Sequence, residues 1–207
     1  MRFFLHLFFL LLPSFLFSQN LSGKFKKLSR PEKCWVYFHP FVAKKAFLTT
    51  RQVRADVDSV KRSGIIGTDQ NGGKLDAFRH SYWMLSLSLS IGSRKALKLG
   101  KAHEKGNYLE FKKHRPEDSI LPDSVSSEMD LRNNAAGIAS AGNCRTFRSK
   151  SEVQNVILKA LEHGDLFIIK KDRQGNYLYC DKTFIDMNFW QGKWNIPKCL
   201  VASNSEQ

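Results

Sequence analysis

Apolar residues along this chain recur mainly at steps of three and four, with turn residues between the runs, a pattern that predicts helices joined by loops. Phe41, Val42, Ala46, Phe47, Val53, Val57 and Val60 keep helical spacing from Phe41 to Lys61, with a restart signal at Thr49-Thr50; Gly64, Gly67, Asn71, Gly72 and Gly73 then predict a loop. The next segment is ambiguous, because Leu85-Ser-Leu-Ser-Leu-Ser-Ile91 alternates like a strand. Asp76, His80, Trp83 and Leu87 lie on one helical face, so a single helix over Lys74 to Ile91, ending at Gly92, accommodates both halves. Ser93 is then an N-cap for a helix over Arg94 to Lys105, stopped by Gly106-Asn107; Ala96, Leu99, Gly100 and His103 form its inward stripe. Tyr108 to Pro122 has no period and reads as a long connection. Helices are predicted again over Ser127 to Ala141 and Ser151 to His163. After them Leu166-Phe-Ile-Ile169 and Tyr177-Leu-Tyr179, around Asp172-Arg-Gln-Gly-Asn176, predict a small β-hairpin within residues 166–180. An aromatic tail from Phe184 to Lys198 is expected to pack on the rest. The fold class is therefore mainly α: a compact, helical bundle-like domain with a small C-terminal β-hairpin.

The amino end changes the compartment. Arg2 precedes an apolar run that closes at Ser18, the pattern of a secretory signal peptide over residues 1–18. Pro13 interrupts that run, which falls short of the roughly 20 residues a spanning helix needs. A basic leader over 19–33 and one domain over 34–207 follow, with no later transmembrane span, so the expectation is an exported protein, periplasmic or secreted. Cys34, Cys144, Cys180 and Cys199 are an even set, which in an exported chain points to disulfides; three pairings are open. No Cys-x-x-Cys spacing supports a structural zinc site, and no Gly-x-Ser-x-Gly supports a serine hydrolase. The formal charge of +14, from 33 Lys and Arg against 19 Asp and Glu, suits anionic partners such as phospholipid headgroups or other polyanions, but no nucleic-acid-binding motif accompanies it.

The chemistry-bearing residues fall in three helical blocks: Asp76-Ala-Phe-Arg-His-Ser-Tyr-Trp83, Ala102-His-Glu104 and Met129-Asp-Leu-Arg-Asn-Asn-Ala-Ala-Gly137. Buried together, such groups are costly unless paired or bound to a metal. Asp76 lies one turn before His80 and can orient its imidazole, while Arg79 beside them suits a phosphate or carboxylate. His80, His103 and Asp130 make a two-imidazole, one-carboxylate set, the ligand type for one divalent transition metal, zinc or manganese. Glu104 or Asp76 then serves as general base, and Asn134 orients water or substrate. Each has a structural alternative: Ser127-x-x-Asp130 matches a capping box, Asp76 at a helix start favours the macrodipole, and Arg79 with Asp130 suits an ion pair. Gly137 suits a close approach of a neighbouring backbone or ligand.

The three blocks, spanning about residues 72–142, resemble the signature of an uncharacterised bacterial domain-of-unknown-function family, found in exported proteins and at the ends of some large secreted, toxin-like proteins. The resemblance implies a mostly helical fold and groups Asp76, Arg79, His80, His103, Glu104, Asp130, Asn133 and Asn134 as a unit. It implies no established reaction. The expected function is a metal-dependent hydrolase acting on an anionic, phosphoester-like envelope or extracellular substrate. Its alternative is a noncatalytic envelope- or polyanion-binding protein whose Asp, His and Asn network is structural.

Overall fold

A computed structural model describes residues 23–113, 122–143 and 149–205. The expected signal peptide over 1–18, His114 and Cys144 lie outside the described residues. Helix α1 spans Arg30–Phe38, α2 Pro40–Ser63, α3 Lys74–Ile91, α4 Ser93–Phe111, α5 Ser124–Asn143 and α6 Lys150–His163; strands β1, Phe167–Ile169, and β2, Leu200–Ala202, follow. The protein is mainly α with a small antiparallel C-terminal strand pair. No helix among the described residues is long and apolar enough to cross a membrane.

The central element is α3, which packs against α2, α4, α5, α6 and β1. Thirteen of its 18 residues are buried, including Leu75, Phe78, Met84, Leu85 and Leu87, and this explains the ambiguous sequence. A helix covered on nearly every side shows no apolar stripe, so the alternation of Leu and Ser carries no strand information. Several of its polar side chains find partners: Ser81 Oγ donates to the Ala77 carbonyl of the same helix at 2.8 Å, while Trp83 Nε1 donates to Thr50 Oγ1 at 2.9 Å and Tyr82 Oη to Asp56 at 2.8 Å, both on α2. Against α3 lies α5, at a distance set by Gly137. A Cβ there would stand 2.1 Å from the Ser81 carbonyl oxygen, so glycine is what allows the two backbones to meet.

Several boundaries differ from the sequence expectation; α5, expected over Ser127 to Ala141, runs from Ser124 to Asn143. Helix α1 begins inside the expected leader, because Ser29 and Glu32 form a capping box and Pro31 occupies the first turn. No restart occurs at Thr49-Thr50; α2 is continuous. Gly106 does not stop α4, which runs to Phe111. Ser29 of the α1 cap lies where a Cβ on Gly106 would be, 2.4 Å from Oγ, so this glycine is a packing site between α1 and α4. Elsewhere Gly92 at φ +88° and Gly164 at φ +84° end α3 and α6 as their positions predict.

The turn at Asp172–Asn176 forms as expected, with Lys171 bridged to Tyr177, but the strand paired along β1 is β2, in the register Phe167 to Ala202. The Cys180–Cys199 disulfide ties the turn region to the residue before β2, settling one of the open pairings; Cys34 is a free, exposed thiol. The aromatic tail docks in part: Trp194 packs on Tyr108 and Phe111 of α4, whereas Phe184 and Phe189 are exposed. Beneath this tail Lys198 Nζ reaches Asp123 at 2.6 Å, and Asp123 also accepts from the Val125 and Ser126 backbone N–H groups, capping α5.

Candidate metal centre

The three sequence blocks meet where α3, α4 and α5 converge. Asp76 and His80 share one face of α3, Glu104 comes from α4, and Asp130 and Asn134 share one face of α5; all five are buried. Asp76 Oδ2 accepts the Gly72 backbone N–H at 2.7 Å, and its Oδ1 takes Arg79 Nη2 at 2.5 Å. The same Nη2 stands 3.1 Å from His80 Nε2. A guanidinium can donate only, so Nε2 accepts and the imidazole proton sits on Nδ1. His80 Nε2 also lies 3.3 Å from Asp130 Oδ1 and 3.5 Å from Asp76 Oδ1.

Asp76, His80 and Asp130 present donor atoms that all lie within 4.8 Å of one another. Donors bound at about 2.1 Å around one tetrahedral ion stand about 3.4 Å apart, so the two distances from Nε2 fit a shared cation. One imidazole with two carboxylates suits zinc, manganese or iron. This departs from the expected ligand set at one position. Asp76, expected as a spare base, is in the group, while His103, whose Nδ1 pairs with Glu32 Oε1 at 2.9 Å, is not among these three. The His103 ring borders the pocket all the same, 6.5 Å from the His80 ring and edge-on to Trp83.

Unmet hydrogen bonding is concentrated here. Among the described residues the buried side-chain atoms without a partner are His80 Nδ1, Glu104 Oε1, Asp130 Oδ1, both polar atoms of Asn134, and Ser88 Oγ; all but the last belong to this pocket. Asn134 lies beside His80, close enough to favour its protonation, without a bond of ordinary geometry. Burial pushes the Asp130 carboxyl well above the usual range, reinforced by Asp76 and Glu104. Burial likewise raises Asp76 against the pull of Arg79, and raises Glu104 against the pull of His103. His80 is held well below its ordinary value by burial, then by Arg79 and His103. Three carboxyl groups thus crowd one buried space in which Arg79 pairs directly with Asp76 alone, a distribution that a bound cation would relieve.

The structural alternatives divide residue by residue. The cap of α5 is Asp123, which frees Asp130 from the capping-box reading. Asn133, grouped with the site by resemblance, instead exchanges two hydrogen bonds with the Phe167 backbone, at 2.9 and 2.8 Å, and docks β1 on α5. Two supporting residues were not anticipated. Ser127 Oγ donates to Glu104 Oε2 at 3.1 Å, and Glu32 orients His103. Although burial opposes it, hydrogen bonds from His103 and Ser29 hold Glu32 down at about 2. The Ser29-x-x-Glu32 capping pattern was the available signal for Glu32; nothing local marks its reach to α4.

No curated protein matches the chain, and no solved structure does. Residues 33–165 match a family described as domain of unknown function (DUF6973), a span that holds most of α1, all of α2 through α6 and the Asp76, His80, Glu104, Asp130 and Asn134 cluster, and the chain belongs to that family.

Proposed function

We propose that this protein is a metal-dependent hydrolase acting, outside the cytoplasm, on an anionic, phosphoester-like substrate. The observation that carries the reading is the buried trio Asp76, His80 and Asp130, whose donor atoms face one another within 4.8 Å. These residues hold one divalent transition metal, zinc or manganese. Such an ion supplies a Lewis acid and an acidified water at neutral pH. Glu104, with Oε1 unpartnered and its carboxyl raised by burial, would serve as the general base, accepting a proton at that oxygen. Asn134 orients water or substrate through its two uncommitted polar atoms. The Arg79 side chain, 39% exposed, lies at the solvent edge, where its guanidinium meets substrate anion and neutralises charge that develops during transfer. The Cys180–Cys199 disulfide and the apolar amino end support action in an oxidising, extracytoplasmic compartment.

A second reading rests on Arg79 as well. Its Nη2 contacts both Asp76 Oδ1 and His80 Nε2, so it can serve as a built-in counter-ion in a noncatalytic, polyanion-binding protein. Elemental analysis of chelator-free protein, purified without a His tag, separates the two. About one equivalent of transition metal, lost in His80→Ala and Asp130→Asn chains that keep their fold, supports the hydrolase and directs a phosphodiester and phosphomonoester screen. No metal after reconstitution, with His80→Ala unfolding, supports the structural network.

A further inference from the structure

Among the described residues, the most exposed large aromatic side chains stand at the corner between α1 and α2. Tyr37, Phe38 and Phe41 are 78, 71 and 99% exposed. Large aromatic side chains gathered in the open mark an interaction surface. The corner is also built rigidly. The His39 ring stacks on Trp35 at 4.7 Å and its Nδ1 pairs with the Trp35 carbonyl, while Trp35 Nε1 donates to the Lys95 carbonyl at 3.2 Å. That last bond brings the start of α4, with exposed Arg94, Lys95 and Lys98, alongside the corner. From the other side α2 contributes exposed Lys44, Lys45 and Arg51. Neither helix carries an acid near this end: the first in α2 is Asp56 and the first in α4 is Glu104.

We infer that the α1–α2 corner is a docking site for an anionic phospholipid surface, with Tyr37, Phe38 and Phe41 entering the interface and the lysines and arginines of α2 and α4 lying over the headgroups. The inference is independent of the metal reading. Aromatic residues partition to the boundary between headgroups and acyl chains, and basic residues beside them add attraction to anionic lipid. A single-stranded nucleic acid also takes aromatic and basic side chains, but does so in a groove. Phe41, at 99% exposure, stands on a convex corner.

Cys34 supplies the test, since it is a free, exposed thiol on α1 one turn before Phe38. The full chain carrying Cys144→Ser is labelled at Cys34 with a fluorophore and mixed with vesicles bearing brominated acyl chains. Quenching is expected with phosphatidylcholine–phosphatidylglycerol vesicles and is weak with phosphatidylcholine alone. Tyr37→Ser/Phe38→Ser/Phe41→Ser, with unchanged helical content, is expected to lower quenching-detected affinity at least about tenfold, and Lys44→Glu/Lys45→Glu to weaken it as well. Equal quenching in the triple serine chain would overturn the proposal. So would vesicle association that leaves the label unquenched, which would assign binding to another segment. Label shielding by chain self-association or by an oligonucleotide, without quenching by vesicles, would likewise overturn it in favour of that partner.

Discussion

Two places in this protein bury carboxylates, and they do so under opposite conditions. Asp123 is matched by Lys198 at 2.6 Å and by backbone N–H groups at the head of α5, and each partner of the ion pair is almost fully buried. Asp130, two turns into the helix that Asp123 caps, has an oxygen with no hydrogen-bond donor among the described residues, and faces the His80 imidazole and two other carboxyl groups. A matched buried charge costs little once formed and holds elements in place; an unmatched one persists only when the rest of the fold compels it. The first joins the C-terminal tail to α5. The second is where our proposal places a cation.

The contrast can be broken most severely at the matched site. Lys198→Met leaves Asp123 buried and unpaired and is expected to cost about 4 kcal/mol by chemical denaturation, with loss of the Trp194 docking signal in fluorescence. Next in size, Gly137→Ala forces a Cβ against the Ser81 carbonyl oxygen and is expected to cost about 3 kcal/mol. Because it parts α3 from α5, bound metal should fall with stability, measured by elemental analysis of the folded fraction. Asp130→Asn tests the unmatched site and should have the opposite sign. It removes a repelling carboxyl, so the metal-free protein is expected to gain about 1 kcal/mol while metal binding is lost, read by melting with and without added zinc.

The smallest effect concerns pH. Glu32 is lowered from 4.5 to about 2 in the folded protein, so its contribution is complete above 4.5 and is lost as pH falls through that window to about 2. His103→Phe removes the largest favourable partner of that carboxylate. The loss of stability across the same window should therefore shrink, as followed by denaturant titrations at successive pH values.

Much of the architecture was legible in the pattern of residues. Gly92 and Gly164 mark true helix ends, and Val153, Ile157 and Leu161, four residues apart, face inward from α6 as one helical face. Gly106 was misleading because a glycine reads as a stop locally, whereas here it admits Ser29 from a helix some eighty residues earlier. The candidate site was legible as a set of three blocks, yet its internal assignment was not. His103 shares a stripe with core residues, but Glu32 draws its Nδ1 away; Asp76, marked as a helix-start residue, turns its Oδ1 into the cluster.

The sequence by itself determined that the chain is mainly helical and that Asp76, His80, Glu104, Asp130 and Asn134 occupy faces able to converge, because periodicity and residue type are local properties. Tertiary structure alone decided which donors meet, that β1 pairs with β2, that Cys180 joins Cys199, and that Asp123 finds Lys198 while Asp130 Oδ1 finds no hydrogen-bond donor among the described residues. Those outcomes depend on contacts between residues distant in the chain, whose pairing is set by how closely helices can approach and by which buried charges find a partner.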